Sequence, residues 1–214
     1  MRLHDYPSSG NCYKVRLLLA QLGVAYERVH VDIFDGGTLT EEFGRLNPGR
    51  VTPVLETDAG IPLVESNAIL VYLAEGTELL PDDPVERAQA LAWLFFEQTE
   101  IVPSIAGLRM RLSAGLLEPD SPGAQRRRAA GLAVLGRLED HLSERGFLVG
   151  ERYSIADIAV YGYVHVAGEA GIELADFPAV QAWIARVEAT PGHVDDLKPI
   201  PPDTRLGVGR SIYG

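Results

Sequence analysis

The hydrophobic period of this chain changes once, and the change falls in Gly76–Pro84, a short stretch rich in Gly, Pro and Asp. Before it, short runs switch between the two-residue period of a strand and the 3.6-residue period of a helix. Arg2–His4 reads as a strand. Cys12–Leu22 reads as a helix, with Cys12, Val15, Leu18, Leu19 and Leu22 on one face and Gly23 to end it. Tyr26–Val31 alternates as a strand does, and Thr38–Leu46 predicts a short polar helix stopped by Asn47-Pro48. Val54–Glu56 and Pro62–Val64 flank Asp58-Ala59-Gly60 as the arms of a hairpin, and Ser66 is expected to cap a helix through Ala74. The order is βαβ, then ββα. A right-handed crossover and a parallel pair follow from the first half, and an antiparallel hairpin from the second. That is the element order of a thioredoxin-like domain.

After the switch the period is helical throughout. Val85–Leu117 predicts one long helix kinked at Pro103. Ala124–Glu144 predicts a second helix and Phe177–Ala189 a fourth. Between them Ser154–Gly168 is apolar nearly all round, as a central buried helix would be. Ser154-Ile155-Ala156-Asp157 at its start has the spacing of a capping box, with Asp157 in a folding role. The expected division is an α/β thioredoxin-like domain over 1–76, a linker over 77–84 and an all-α bundle over 85–190. A tail over 191–214 is expected to lie on the surface or fray.

Composition removes several function classes. A net charge of −11 disfavours nucleic acid and anionic membranes as partners. No apolar run approaches the ~20 residues of a membrane span, and the polar start Met1–Tyr6 does not read as a secretory leader. The lone Cys12 excludes an internal disulfide and fits a reducing cytoplasm. The five histidines are scattered, so no metal is expected. Arg126-Arg127-Arg128 reads as a solvated helix face.

Two short runs carry the chemistry. Ser66 at a helix start has exposed N–H groups behind it, and such a place takes an anion. A plain cap would explain Ser66 but not Glu65 immediately before it, whose carboxylate suits an ammonium. Asn67 offers an amide beside them. Upstream, Ser8-Ser9-Gly10-Asn11-Cys12 opens another helix. Together these suit a small peptide that carries carboxylates and an amine.

These runs, Asn47–Glu56 with its Thr52-Pro53 step, and the two-part layout resemble the soluble glutathione transferase family over about residues 1–190. The bacterial group with a serine or asparagine active site is the nearest in character. The resemblance implies a cis-proline at Pro53, which leaves the Thr52 backbone open to pair with the cysteinyl part of glutathione. The other reading is an ordinary trans proline. It implies that Glu65, Ser66 and Asn67 hold the γ-glutamyl end, and that Arg50 either contacts the glycyl carboxylate or stays solvated. It makes Ser9 the donor to the glutathione sulfur, with Asn11 as the alternative and Ser8 or Ser9 left to cap the helix. A thiol of pKa ~8.5 is only a few per cent ionised at pH 7, and lowering it by ~2 units takes ~2.7 kcal/mol. A hydrogen bond to a charged sulfur supplies ~1.5–3 kcal/mol and a helix start ~0.3–1 kcal/mol. One hydroxyl therefore suffices and no general base is needed. Cys12, on the apolar face, is expected to be structural.

For the second substrate, Ile101, Ile105 and Arg109 follow one face of the kinked helix. They form either an apolar wall ending in a cation, or ordinary core plus a paired arginine. The first expectation is a cytoplasmic detoxification enzyme, a homodimer with glutathione as co-substrate and a small electrophile, disulfide or peroxide as partner. The alternatives are a glutathione-dependent isomerase of an unsaturated diacid, for which Arg109 and Arg111 are the available cations, and a non-catalytic binding module on the same fold.

Overall fold

The computed structural model describes residues 1–201 and 204. Four strands, β1 (Arg2–Asp5), β2 (Glu27–His30), β3 (Val54–Glu56) and β4 (Pro62–Val64), form one sheet in the order β2-β1-β3-β4. β1 pairs parallel with β2, while β3 pairs antiparallel with β1 and β4. The parallel pair is joined through α1 (Gly10–Gln21), and α2 (Glu41–Leu46) and α3 (Ser66–Ala74) complete the domain. This is the thioredoxin-like arrangement, and an all-helical domain follows it: α4 (Pro84–Phe96), a π-helical stretch Glu97–Ala106, α5 (Gly107–Ser113), α6 (Pro122–Leu142), α7 (Ile155–Val164) and α8 (Pro178–Glu188).

Pro103 does more than bend the long helix. The stretch around it adopts the wider π register, and the Gly107 N–H reaches back five residues to the Val102 carbonyl. A proline has no N–H to give and its ring crowds the carbonyl four residues earlier; the wider turn relieves both. The consequence for the site is a shift of face, described below.

Every residue of α7 is buried. Its start is closed by a capping box: Asp157 Oδ2 accepts from the Ser154 N–H at 3.0 Å, and Ser154 Oγ accepts from the Ala156 N–H at 3.2 Å. Asp157 Oδ1 also accepts from the Leu148 N–H at 3.0 Å and from Trp183 Nε1 at 2.9 Å. One carboxylate thus ties α7 to α8 and to the loop before it. Burial outweighs these bonds and raises the Asp157 pKa to about 6.

The two domains meet where α1 crosses α7 at two glycines. A Cβ on Gly10 would lie 2.4 Å from Tyr163 Cε1 and 2.7 Å from the Gly162 carbonyl. A Cβ on Gly162 would lie 2.5 Å from Lys14 Cγ. Only bare backbone permits this approach.

The expected surface tail is docked over its described part. Arg16, buried in α1, pairs with Asp5 at 2.5 Å and with Asp196 at 2.8 Å. Tyr13 donates to the Val194 carbonyl at 2.8 Å, and the Lys198 N–H to the Pro7 carbonyl at 3.2 Å. A buried guanidinium needs carboxylates, and Asp5 is already shared with Arg28. Asp196 supplies the second, which holds the segment down. Arg210–Gly214 lie outside the described residues.

Candidate active site

A cavity of about 360 Å³ lies between the domains. Tyr6, Ser9, Asn11 and Thr52 line it from the first domain, and Val102, Pro103, Ala106, Met110 and Tyr163 from the second.

Ser9 is the N-cap of α1, and its Oγ accepts the Cys12 N–H at 3.3 Å. That bond uses a lone pair and leaves the hydroxyl proton to give. Ser8 has no such freedom: it is buried, and its hydroxyl donates to the Pro199 carbonyl at 2.8 Å. Asn11 Oδ1 accepts from Ser66 Oγ at 3.3 Å, and its amide NH₂ has no protein partner among the described residues. Two donors, one hydroxyl and one amide, therefore sit on the same cavity wall. Cys12 is fully buried, and burial pushes its thiol pKa up to about 11. At neutral pH it is a protonated thiol and not a nucleophile.

The Thr52–Pro53 peptide is cis. Thr52 precedes β3 and has no backbone partner among the described residues, so its N–H and C=O stand open at the cavity. A peptide could pair with them as an added strand.

The start of α3 differs from expectation by one residue. Glu65, not Ser66, is the N-cap, with φ 67° and ψ 111°, and no side chain bonds the first-turn N–H groups. The hairpin turns into the helix within a single residue, which forces Glu65 into a region that side chains avoid. Ser66 is the first helical residue, buried, with its hydroxyl on Asn11. The α3 start thus touches the Ser9–Asn11 wall through one hydrogen bond.

Several expected site residues are employed elsewhere. Asn67 is turned inward: Oδ1 accepts from Lys14 Nζ at 3.0 Å, and Nδ2 donates to the Leu94 carbonyl and to Glu97 Oε2 at 2.9 and 3.0 Å. Both of its amide N–H donors are therefore engaged within the fold. Lys14 and Glu97 are both fully buried, with Nζ 3.1 Å from Oε1. Oε1 lies off the hydrogen-bond direction, so charge rather than a hydrogen bond holds that contact. Burial pulls the Lys14 pKa down against the opposing pull of Glu97 and the neighbouring Glu65. Arg50, at φ 55°, gives Nη1 to the carbonyls of Thr38 and Thr40, each at 3.0 Å, and does not line the cavity.

The proposed wall for the second substrate is displaced. Ile101 and Ile105 belong to the hydrophobic core, with no exposure. Arg109 reaches the cavity edge but is 2% exposed, bonded to Glu169 at 2.8 Å and to the Ser8 carbonyl at 2.7 Å. The π register adds a residue to the turn and swings the face, so Val102, Ala106 and Met110 front the cavity instead. Sequence reasoning also missed Tyr163. Its phenol accepts the Asn11 N–H at 3.2 Å, and burial raises its pKa, so the proton stays on. Within an apolar helix nothing marked it; only the glycine beside it, Gly162, hinted at a close approach.

Among the described residues no cluster of three or more His, Cys, Asp or Glu could hold a metal, and no helix is long and apolar enough to cross a membrane. Comparison with known proteins gives one consistent result. The family model for the glutathione S-transferase N-terminal domain matches residues 1–75, and that for the C-terminal domain matches residues 89–191. The chain is 33% identical to the disulfide-bond oxidoreductase YfcG of Escherichia coli, over 85% of this chain and 87% of that one. It is also 33% identical to a maleylacetoacetate isomerase of Rhizobium meliloti, over 92% of this chain and 97% of that one. Among solved structures, a glutathione S-transferase from Pseudomonas fluorescens superposes with a TM-score of 0.89 at 45% identity, covering 92% of this chain and 98% of that one.

Proposed function

The chain belongs to the glutathione S-transferase family, and on that premise we propose that the interdomain cavity binds glutathione and activates its thiol. Glutathione is the co-substrate. The Thr52 backbone pairs with its cysteinyl peptide, Glu65 holds its ammonium, and the uncapped N–H groups of α3 at Ser66 receive the γ-glutamyl carboxylate. Ser9 and the Asn11 amide donate to the sulfur and favour the thiolate. That thiolate attacks an electrophile, or the sulfur of a disulfide or the oxygen of a peroxide. The observation that carries this reading is Glu65 itself. A glutamate held at φ 67° costs ~1–3 kcal/mol that a glycine would not, yet it makes no cap, and beyond its charge acting on Lys14 its carboxylate has no hydrogen-bond or ion-pair partner among the described residues.

The similarity to a disulfide-bond oxidoreductase supports thiol transfer as one outcome of the same thiolate. The similarity to an isomerase supports a second reading, isomerisation of an unsaturated diacid through a transient glutathione adduct. A cytoplasmic homodimer is the proposed setting. The exposed apolar side chains of Ile61, Val64, Tyr72 and Phe95, on neighbouring elements of both domains, support a covered face. Detoxification in a bacterial cell is the corresponding role.

Calorimetric titration with reduced glutathione tests the reading. Wild type is expected to bind, and Glu65→Ala to bind far more weakly. Absence of binding at millimolar glutathione would leave the non-catalytic module as the function.

A further inference from the structure

Arg111 at the end of α5 and Arg127 in α6 turn toward the same place, and neither has a carboxylate partner among the described residues. Arg111 Nη1 donates to the Gly107 carbonyl at 3.1 Å, and Arg127 Nη1 to the Pro103 carbonyl at 2.7 Å. Gly107 is what brings them together. A Cβ on it would lie 3.1 Å from Arg111 Nη1 and 4.0 Å from Arg127 Nη1, so two guanidinium groups meet over a residue with no side chain. Each keeps further N–H donors free.

Two cations so close repel each other. Burial, and then the charge of Arg127, lower the pKa of Arg111. A surface arginine relaxes by pairing with a carboxylate, as Arg137 does 3.9 Å from Glu100, whereas Arg111 and Arg127 bond only backbone carbonyls. Glu100 shares the groove with the pair but is turned to Arg137. Both arginines line the interdomain cavity that holds Ser9 and Asn11. They also line an adjoining groove of about 540 Å³ edged by Thr99, Ser104 and Leu117. The pair thus stands at the junction of the reactive cavity with its outer groove.

We propose that Arg111 and Arg127 form an oxyanion-recognition subsite, so that the second substrate carries a carboxylate or sulfonate beside its reactive centre. The proposal deepens the glutathione-dependent reading and rests on it for the word substrate. Arg109 differs from them: it is buried and its charge is already paired with Glu169.

Equilibrium binding reads the subsite without catalysis. Wild type is titrated with anilinonaphthalene sulfonate and with its uncharged relative phenylnaphthylamine, followed by fluorescence. Binding of the sulfonate is expected to be about tenfold tighter than that of the neutral ring. The R111Q/R127Q variant is expected to lose that preference while binding the neutral ring as before, and R111K/R127K to keep much of it. A preference that survives R111Q/R127Q, or equal loss for both dyes, overturns the proposal. Inorganic sulfate competing as strongly as the dye would assign the pair to free anions and overturn the substrate assignment. Titration of the same variant with reduced glutathione separates the two readings. If glutathione fails to bind wild type, the catalytic reading falls while the dye preference still decides the anion subsite. On the catalytic side, chlorodinitrobenzoate should lose about tenfold more in kcat/KM than chlorodinitrobenzene in R111Q/R127Q, through KM; equal losses overturn the proposal.

Discussion

The starts of α7 and α3 face the same physical problem and solve it oppositely. Each helix leaves its first N–H groups without an internal partner. At α7 the chain spends a serine and an aspartate on closure, and Asp157 adds bonds to Leu148 and Trp183. At α3 the cap position is a glutamate at φ 67° that bonds none of the N–H groups behind it. The closed start serves the fold; the open start is available to a ligand. α1 lies between the two, since Ser9 closes one N–H and still has a proton to give.

Mutation should separate the two ends of that scale. The largest effect is expected for Asp157→Ala, which orphans several buried donors at once and should cost about 3–5 kcal/mol in urea unfolding. Whatever folded protein remains should bind glutathione normally; weakened binding would break the contrast. Glu65→Ala should do the reverse. Loss of a charged partner at the ammonium weakens glutathione by about ten- to a hundredfold in calorimetry. Stability should be unchanged, and Glu65→Gly should raise it by up to ~1 kcal/mol by relieving the backbone.

Ser9→Ala should show both faces at reduced size. Loss of the cap costs about 1 kcal/mol. The pKa of bound glutathione, followed by thiolate absorbance, rises by about 1–2 units, because a donor to charged sulfur is gone. An unchanged thiol pKa in Ser9→Ala, with a rise in Asn11→Ala, would move the role to the amide.

The smallest expected effect sharpens the closed end. Asp157 has a folded-state pKa of about 6, above its ordinary 3.8. A raised carboxyl binds more protons folded than unfolded, so its contribution to stability is present below about pH 4 and is lost as pH rises toward 6. Asp157→Asn, less stable throughout, should lack that downward component in unfolding curves taken across the window.

Much of this was legible beforehand. Period and turn residues located the four strands, the hairpin and the long helices, because each depends on neighbours a few residues apart. Of the residues the likeness to glutathione transferases named, Ser9, Asn11 and Thr52 line the cavity, while Ser66 reaches its wall through Asn11 and Glu65 lies beside Ser66. What escaped depends on register or on distant partners. A 3.6-residue period puts Ile101, Ile105 and Arg109 on one face, but the π stretch does not keep that period, and of the three only Arg109 reaches the cavity. Asn67 and Arg50 had ligand-like chemistry, yet a buried Lys14–Glu97 pair and two loop carbonyls claim them. The segment after Pro191 is polar and rich in turn residues, and only the buried Arg16 explains why it docks.

The meeting of Gly10 with Gly162 has a mechanical meaning. Gly10 follows Ser9 on one helix and Gly162 precedes Tyr163 on the other, and a Cβ on either would strike a side chain of the facing helix, Tyr163 or Lys14. The cleft is therefore like a jaw shut tight at its back, beside the reactive donors. A side chain added at either glycine would pry the jaw open from behind and draw its teeth, Val102, Ala106 and Met110, away from the Ser9 wall.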